Sequence, residues 1–200
     1  MIDLPAGLPP ELVPLSWLLG VWEGSGVIDY AVGDEKVTHE FGQRLSFSHD
    51  GLPHLNYSSY TWLTDADGEQ QPLATETGYW RIARELGDAD PGPAMLPGVG
   101  ESRYGTADDV ETLRNADGGF DLEVSLVHPG GVSELYLGQV KGPRVDLATD
   151  AVMRGAGAKD YAAATRLYGL VEGHLLWAWD IAALGQDLRT HASARLAKVD

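Results

Sequence analysis

Phe120-Asp121-Leu122-Glu123-Val124-Ser125-Leu126 alternates apolar and polar residues without a break. A period of two puts Phe120, Leu122, Val124 and Leu126 on one face of an extended strand and gives the other face to water. The run leads into His128-Pro129-Gly130-Gly131, a turn sequence, and then into a second apolar-rich run from Val132 to Val140. Two such runs joined by a glycine turn make a β-hairpin. The same punctuation recurs on both sides. Strands are expected at 37–48, 54–63, 75–83, 120–127, 132–140, 144–153, 162–172 and 175–183, with further turns at Asp50-Gly51, Asp67-Gly68 and Glu172-Gly173. Consecutive hairpins form a meander, and closing the meander removes the exposed edges on which sheets aggregate. The expectation is an all-β chain folded as an antiparallel up-and-down β-barrel of about ten strands, wide enough to hold a ligand.

The remaining segments are read as attachments to that barrel, and residues 1–200 as a single domain. Residues 13–19 are apolar and short, with Pro14 near their start, and suggest a helical cap of one or two turns leading into the first strand. Residues 84–118 carry Asp, Gly and Pro with no sustained period, and read as a long mobile loop insertion. Surface elaboration is the plain reading of it, and a lid over the cavity is the alternative.

Composition excludes more partners than it names. Thirty acidic residues against fourteen basic give a formal net charge of −16, with the basic ones scattered. Phosphate backbones and anionic membrane surfaces are repelled by such a chain, so neither nucleic acid nor membrane is an expected partner. The apolar runs are too short to span a bilayer, and no secretion signal opens the chain. With no cysteine there is no disulfide, thiolate site or thiol nucleophile, and cytoplasmic localisation is the default expectation.

Gly20-Val21-Trp22-Glu23-Gly24-Ser25-Gly26 combines glycines, which permit a sharply coiled strand and close backbone approach, with one large apolar plug at Trp22. Of the six histidines, His39, His49, His54, His128 and His174 fall near strand ends or turns and read as solvated or structural groups. Glu76, inside a strand, is expected to pair with Arg81 or a backbone group. No Ser-His-Asp set, phosphate-binding loop or close carboxylate pair stands out.

The pattern G-x-W-x-G-x-G at Gly20, Trp22, Gly24 and Gly26 resembles the nitrobindin family, whose barrels are lipocalin-like and similar to fatty-acid-binding proteins. Further stretches follow in the same order: 47–53 with Leu55-Asn56-Tyr57, then Glu76-Thr77-Gly78-Tyr79-Trp80-Arg81, 128–134, Ala158-Lys159-Asp160, and Ala183-Leu184-Gly185-Gln186 leading to His191. The resemblance implies a heme b cofactor held through one proximal histidine. The matching segment is Leu188-Arg189-Thr190-His191-Ala192-Ser193-Ala194-Arg195-Leu196, which makes His191 the iron ligand and the centre of catalysis. A neutral imidazole suits that role when the opposite heme face stays open to a small molecule. Lys159 matches a position beside the heme, where an ammonium meets a propionate. The implied activity is isomerisation of peroxynitrite to nitrate on ferric heme, with reversible nitric oxide binding. Such chemistry asks the protein for a proximal imidazole and a dry cavity rather than for an acid or base.

Three pocket positions depart from the family pattern. Val32 stands where many members place a threonine, Ala74 where many place a histidine over the open heme face, and Ile181 where methionine is common. The open face is therefore expected to be more apolar. Two other readings stay open. One is a carrier of a fatty acid or similar apolar molecule, with Arg81, Tyr79, Arg166 and Tyr168 as carboxylate partners; the other is a relative that keeps the barrel without heme. A homodimer is a mild expectation.

Overall fold

The computed structural model describes residues 7–32, 35–182 and 189–199. Ten strands form one closed barrel: β1 (Gly20–Val32), β2 (Glu35–Ser48), β3 (Leu55–Thr64), β4 (Gln70–Ile82), β5 (Phe120–His128), β6 (Val132–Val140), β7 (Arg144–Arg154), β8 (Ala163–Val171), β9 (His174–Ala182) and β10 (Arg189–Val199). Each strand pairs antiparallel with the next in sequence, and β1 pairs with β10 to close the ring. The up-and-down meander expected from the hairpin punctuation is therefore the observed topology. Among the described residues no helix is long and apolar enough to cross a membrane.

Burial follows the alternation that defined the strands. In β5 the side chains of Phe120, Leu122, Val124 and Leu126 are buried, and Asp121 and Ser125 face out. The turns adopt the left-handed backbone that their glycines allow, at Gly51, Gly68, Gly131 and Gly173. β4 starts earlier than its pattern suggests, because Pro72 interrupts the apolar reading. The proline is accommodated where the β3–β4 register shifts, a place that tolerates a missing N–H.

The two ends of the barrel differ. At one end a 3-10 helix, Pro10–Leu18, buries Leu12, Leu15 and Leu18 completely under the strands. Trp22 plugs this base, with its indole N–H donating to the Leu18 carbonyl at 2.7 Å. The glycines of the motif earn their place through β10: a Cβ on Gly24 would lie 2.4 Å from the Arg195 carbonyl oxygen, and one on Gly26 would lie 2.3 Å from that of Ser193.

The connection between β4 and β5, read from its sequence as a long loop insertion with a cavity lid as the alternative, belongs to the base. It carries a short helix, α1 (Ala107–Glu111), whose Val110 is buried in the core. Arg84 donates to both carboxylate oxygens of Glu11 at 2.7 and 2.9 Å and to those of Asp90 at 2.8 and 2.7 Å. The segment is thus tied to the N-terminal helix, at the end of the barrel away from the ligand space.

Candidate functional site: a cavity lined by His191 and His128

Toward the other end, the strands enclose a cavity of about 390 Å³. Ile28, Phe41, Leu73, Ala74 and Ala192 supply its apolar surface. His191 and Ala192 are consecutive, yet both line it. Strict alternation forbids that, and a bulge supplies the exception. The β9–β10 register shifts between Thr190, opposite Asp180, and Ala192, opposite Trp179. A bulge inserts one residue and re-aims its side chain, so His191 turns inward beside Ala192. Its ring, half-buried, meets Trp179 edge-on, with centroids 5.8 Å apart and planes at 87°.

Beneath His191 the cavity wall is ionic. Arg166 in β8 donates from its two terminal nitrogens to both oxygens of Glu76, at 2.7 and 2.8 Å, and from Nε to the Tyr136 hydroxyl at 3.0 Å. The guanidinium also lies 4.4 Å from the centre of the Trp179 ring, a cation–π contact. Tyr57 donates to Glu76 at 2.6 Å. Glu134, fully buried at its side chain, accepts from Tyr136 and Tyr161 at 2.6 Å each, and His128 Nε2 stands 2.6 Å from its second oxygen. His128 Nδ1 is 3.6 Å from Glu76.

Burial pushes the Glu76 carboxyl up, but the charge and hydrogen bonds of Arg166, with help from His128 and Tyr57, outweigh it and hold the group at about 2. Glu134 follows the same balance: burial raises it, and His128, Arg166 and the two tyrosines pull it below the usual carboxylate value. Burial together with the neighbouring carboxylate drives the Tyr57 hydroxyl well above its ordinary value.

Several sequence readings change here. Glu76 pairs with Arg166, while Arg81 pairs with Glu123 on the outside of the barrel. The reason is parity: five residues apart along a strand, Glu76 and Arg81 point to opposite faces. Tyr79, 57% exposed, also faces out, so it and Arg81 offer nothing to an enclosed carboxylate. His128, expected to be solvated or structural at its turn, lines the cavity. The signal was available, since extending the Leu122, Val124, Leu126 alternation by one step turns His128 inward.

Among the family positions, Ala74 lines the cavity. Ile181 is half-buried and packs against the core from β9. Lys159 is exposed on the segment joining β7 to β8, its carbonyl 3.5 Å from an Arg154 nitrogen. The side chain of Val32 lies outside the described residues.

The donor set fits a cofactor with a single axial protein ligand. Two imidazoles line the cavity: His128 is engaged by the buried Glu134 at 2.6 Å, and His191 lies beside Trp179, whose indole nitrogen is buried with no hydrogen-bond partner. Heme iron is commonly held in this way by one histidine. The family model described as "THAP4-like, heme-binding beta-barrel domain" matches residues 11–198. The chain belongs to this family. Membership bears out the nitrobindin resemblance, and the full-length relatives agree. A protein of Clavibacter michiganensis subsp. michiganensis named "Peroxynitrite isomerase" is 73% identical over 200 residues, covering 100% of both chains. One of the same name from Leifsonia xyli subsp. xyli is 68% identical, again over 100% of both. Among solved structures, Rv2717c from M. tuberculosis superposes with a TM-score of 0.68 at 27% identity, over 99% of this chain and 100% of that one.

Proposed function

We propose that this member of the heme-binding barrel family binds heme b through His191 and isomerises peroxynitrite to nitrate, with nitric oxide as a second small ligand. The observation that carries the reading is the β10 bulge, which turns the His191 imidazole toward the cavity. Bound ferric heme supplies a Lewis-acidic iron on which peroxynitrite rearranges. The chain's own residues do the rest. His191 holds the cofactor, and Trp179 packs edge-on against its ring and limits its rotation. Ile28, Phe41 and Ala74 keep water from the reacting pair. Ala74 itself, in place of an imidazole, supplies no proton donor. In this reading the protein works in the cytoplasm, on its own or as a homodimer.

A titration with hemin tests the proposal. Wild-type protein is expected to give a saturable one-to-one Soret spectrum of histidine-ligated ferric heme and to accelerate peroxynitrite decay to nitrate. In His191→Ala the spectrum and the acceleration are expected to vanish with the fold retained by circular dichroism. Identical, nonspecific responses from both proteins would remove His191 and the enzyme reading together. The carrier reading loses its main support in the cavity itself: Arg166, the inward cation a fatty acid would need, is already engaged by Glu76 on both terminal nitrogens.

A further inference from the structure

The chain has no cysteine and three methionines, so all of its sulfur is thioether. Methionine is ordinarily a core residue. Of the two methionines that the structure describes, Met95 is 96% exposed and Met153 is 70% exposed. Met95 belongs to the connection between β4 and β5, and it is not among the residues that line the cavity. The backbone there is ordered and holds the side chain out. Ala94 and Met95 both take left-handed backbone, at φ 55° and 61°, a region that residues other than glycine rarely adopt. Pro91, Pro93 and Pro97 restrict the chain on either side. The Gly92 N–H donates to the Leu96 carbonyl at 2.8 Å and closes the turn. Behind it the Val99 N–H donates to the Asp88 carbonyl, and Asp90 is gripped by Arg84. Met153 stands on the outer wall in β7, opposite Ser133 of β6. A sulfoxide oxygen disrupts a packed core, but Met95 has almost no packing to lose.

We propose that Met95 is a reversible oxidation site for peroxides, peroxynitrous acid among them, with Met153 as a slower second site. The thioether sulfur attacks the terminal oxygen of the peroxide. An S–O bond forms as the O–O bond breaks, sulfur is oxidised by two electrons to the sulfoxide, and peroxynitrous acid is reduced to nitrite with release of a proton. Hydrogen peroxide reacts in the same way and leaves water. The isomerisation proposed above yields nitrate, so nitrite marks this separate route. The route needs no heme and stands apart from that reading. With no cysteine in the chain, no thiolate competes for the oxidant. Methionine sulfoxide is returned to the thioether by reductases, one for each epimer. On a side chain as exposed as Met95 the sulfoxide is within their reach while the barrel stays folded, so the site can cycle.

The full-length chain without added hemin is treated at neutral pH with limiting peroxynitrite and, in parallel, with hydrogen peroxide. Peptide mass spectrometry then follows each methionine separately. Met95 is expected to be oxidised within roughly twofold of its rate in the same chain unfolded by urea, and Met153 roughly threefold more slowly. The oxidised protein is expected to keep the melting temperature of the starting material and to return to its original mass with the two sulfoxide reductases and dithiothreitol. Met95→Leu, which keeps size and leaves the fold untouched, is expected to lower the nitrite formed from peroxynitrite. Protection of Met95 by roughly tenfold or more against the unfolded chain, or oxidation no faster than at Met153, would overturn the proposal. A sulfoxide that lowers the melting temperature or resists the reductases would overturn it too, as would nitration of the exposed Tyr60 and Tyr79 in preference to the thioether.

Discussion

The Glu76–Arg166–Glu134 cluster shows how a single buried residue fixes the behaviour of its neighbours. Breaking a buried ion pair by removing one partner strands the other charge in a poor solvent, at a cost of roughly 3–5 kcal/mol. Arg166→Met, which leaves two carboxylates facing each other across the cavity wall, is therefore expected to lower unfolding free energy by about that amount in urea. A loss under about 1 kcal/mol would mean that water already screens the pair. The same cluster sets the acid limit. Glu76 sits at about 2, and Glu134 also lies below its ordinary value. A carboxylate depressed in the folded state contributes stability that is complete above its unfolded pKa and is lost as pH falls toward the folded one. The melting temperature is thus expected to be level from neutral pH to roughly 5 and to fall steeply below it. In Glu76→Gln the protein starts less stable, and the acid slope is expected to be shallower. A slope unchanged by that substitution would assign acid unfolding to other groups.

Strand alternation made most of the elements legible before the structure. It located β2 to β9 within a few residues, and carried one residue further it would have turned His128 into the cavity. The same rule misleads at the one residue on which the proposed chemistry depends. Ala192, Ala194 and Leu196 are the inward set of β10, so parity sends His191 outward, and only the motif resemblance picked it out. The bulge reconciles the two, and a bulge leaves no mark in composition or period. The pairing of Arg166 with Glu76 was hidden for a different reason: the two are ninety positions apart in sequence, and pairing across a barrel is settled by closure. The bulge can be tested as an element. Deleting Thr190 restores the regular ladder, places His191 opposite Asp180 and turns it to the outer face. Heme uptake is expected to fall as far as in His191→Ala although the imidazole is still present, and near-native strand signal in circular dichroism should persist. Uptake equal to wild type would show that the bulge does not aim the ligand.

At the scale of the whole molecule, the acidic excess of this chain works against its proposed substrate. Peroxynitrite is largely an anion in mildly alkaline water, and it approaches a body of formal net charge −16. Like charges slow diffusional encounter, and salt weakens the effect because the screening length falls from about 30 Å at 0.01 M to about 8 Å at 0.15 M. The barrel partly relieves this by holding its buried carboxylates in pairs with Arg166 and His128. That relief is local, whereas the long-range field is set by all thirty acidic residues. Association of azide with hemin-loaded protein is therefore expected to accelerate severalfold as sodium chloride rises from about 0.01 to 0.15 M, while neutral imidazole at the same alkaline pH shows little change. Rates that fall with salt would mean that an attractive local field, from Arg166, governs the final approach. In that case the acidic surface would serve solubility without gating the anion, and Arg166→Met would be the variant to abolish the salt dependence.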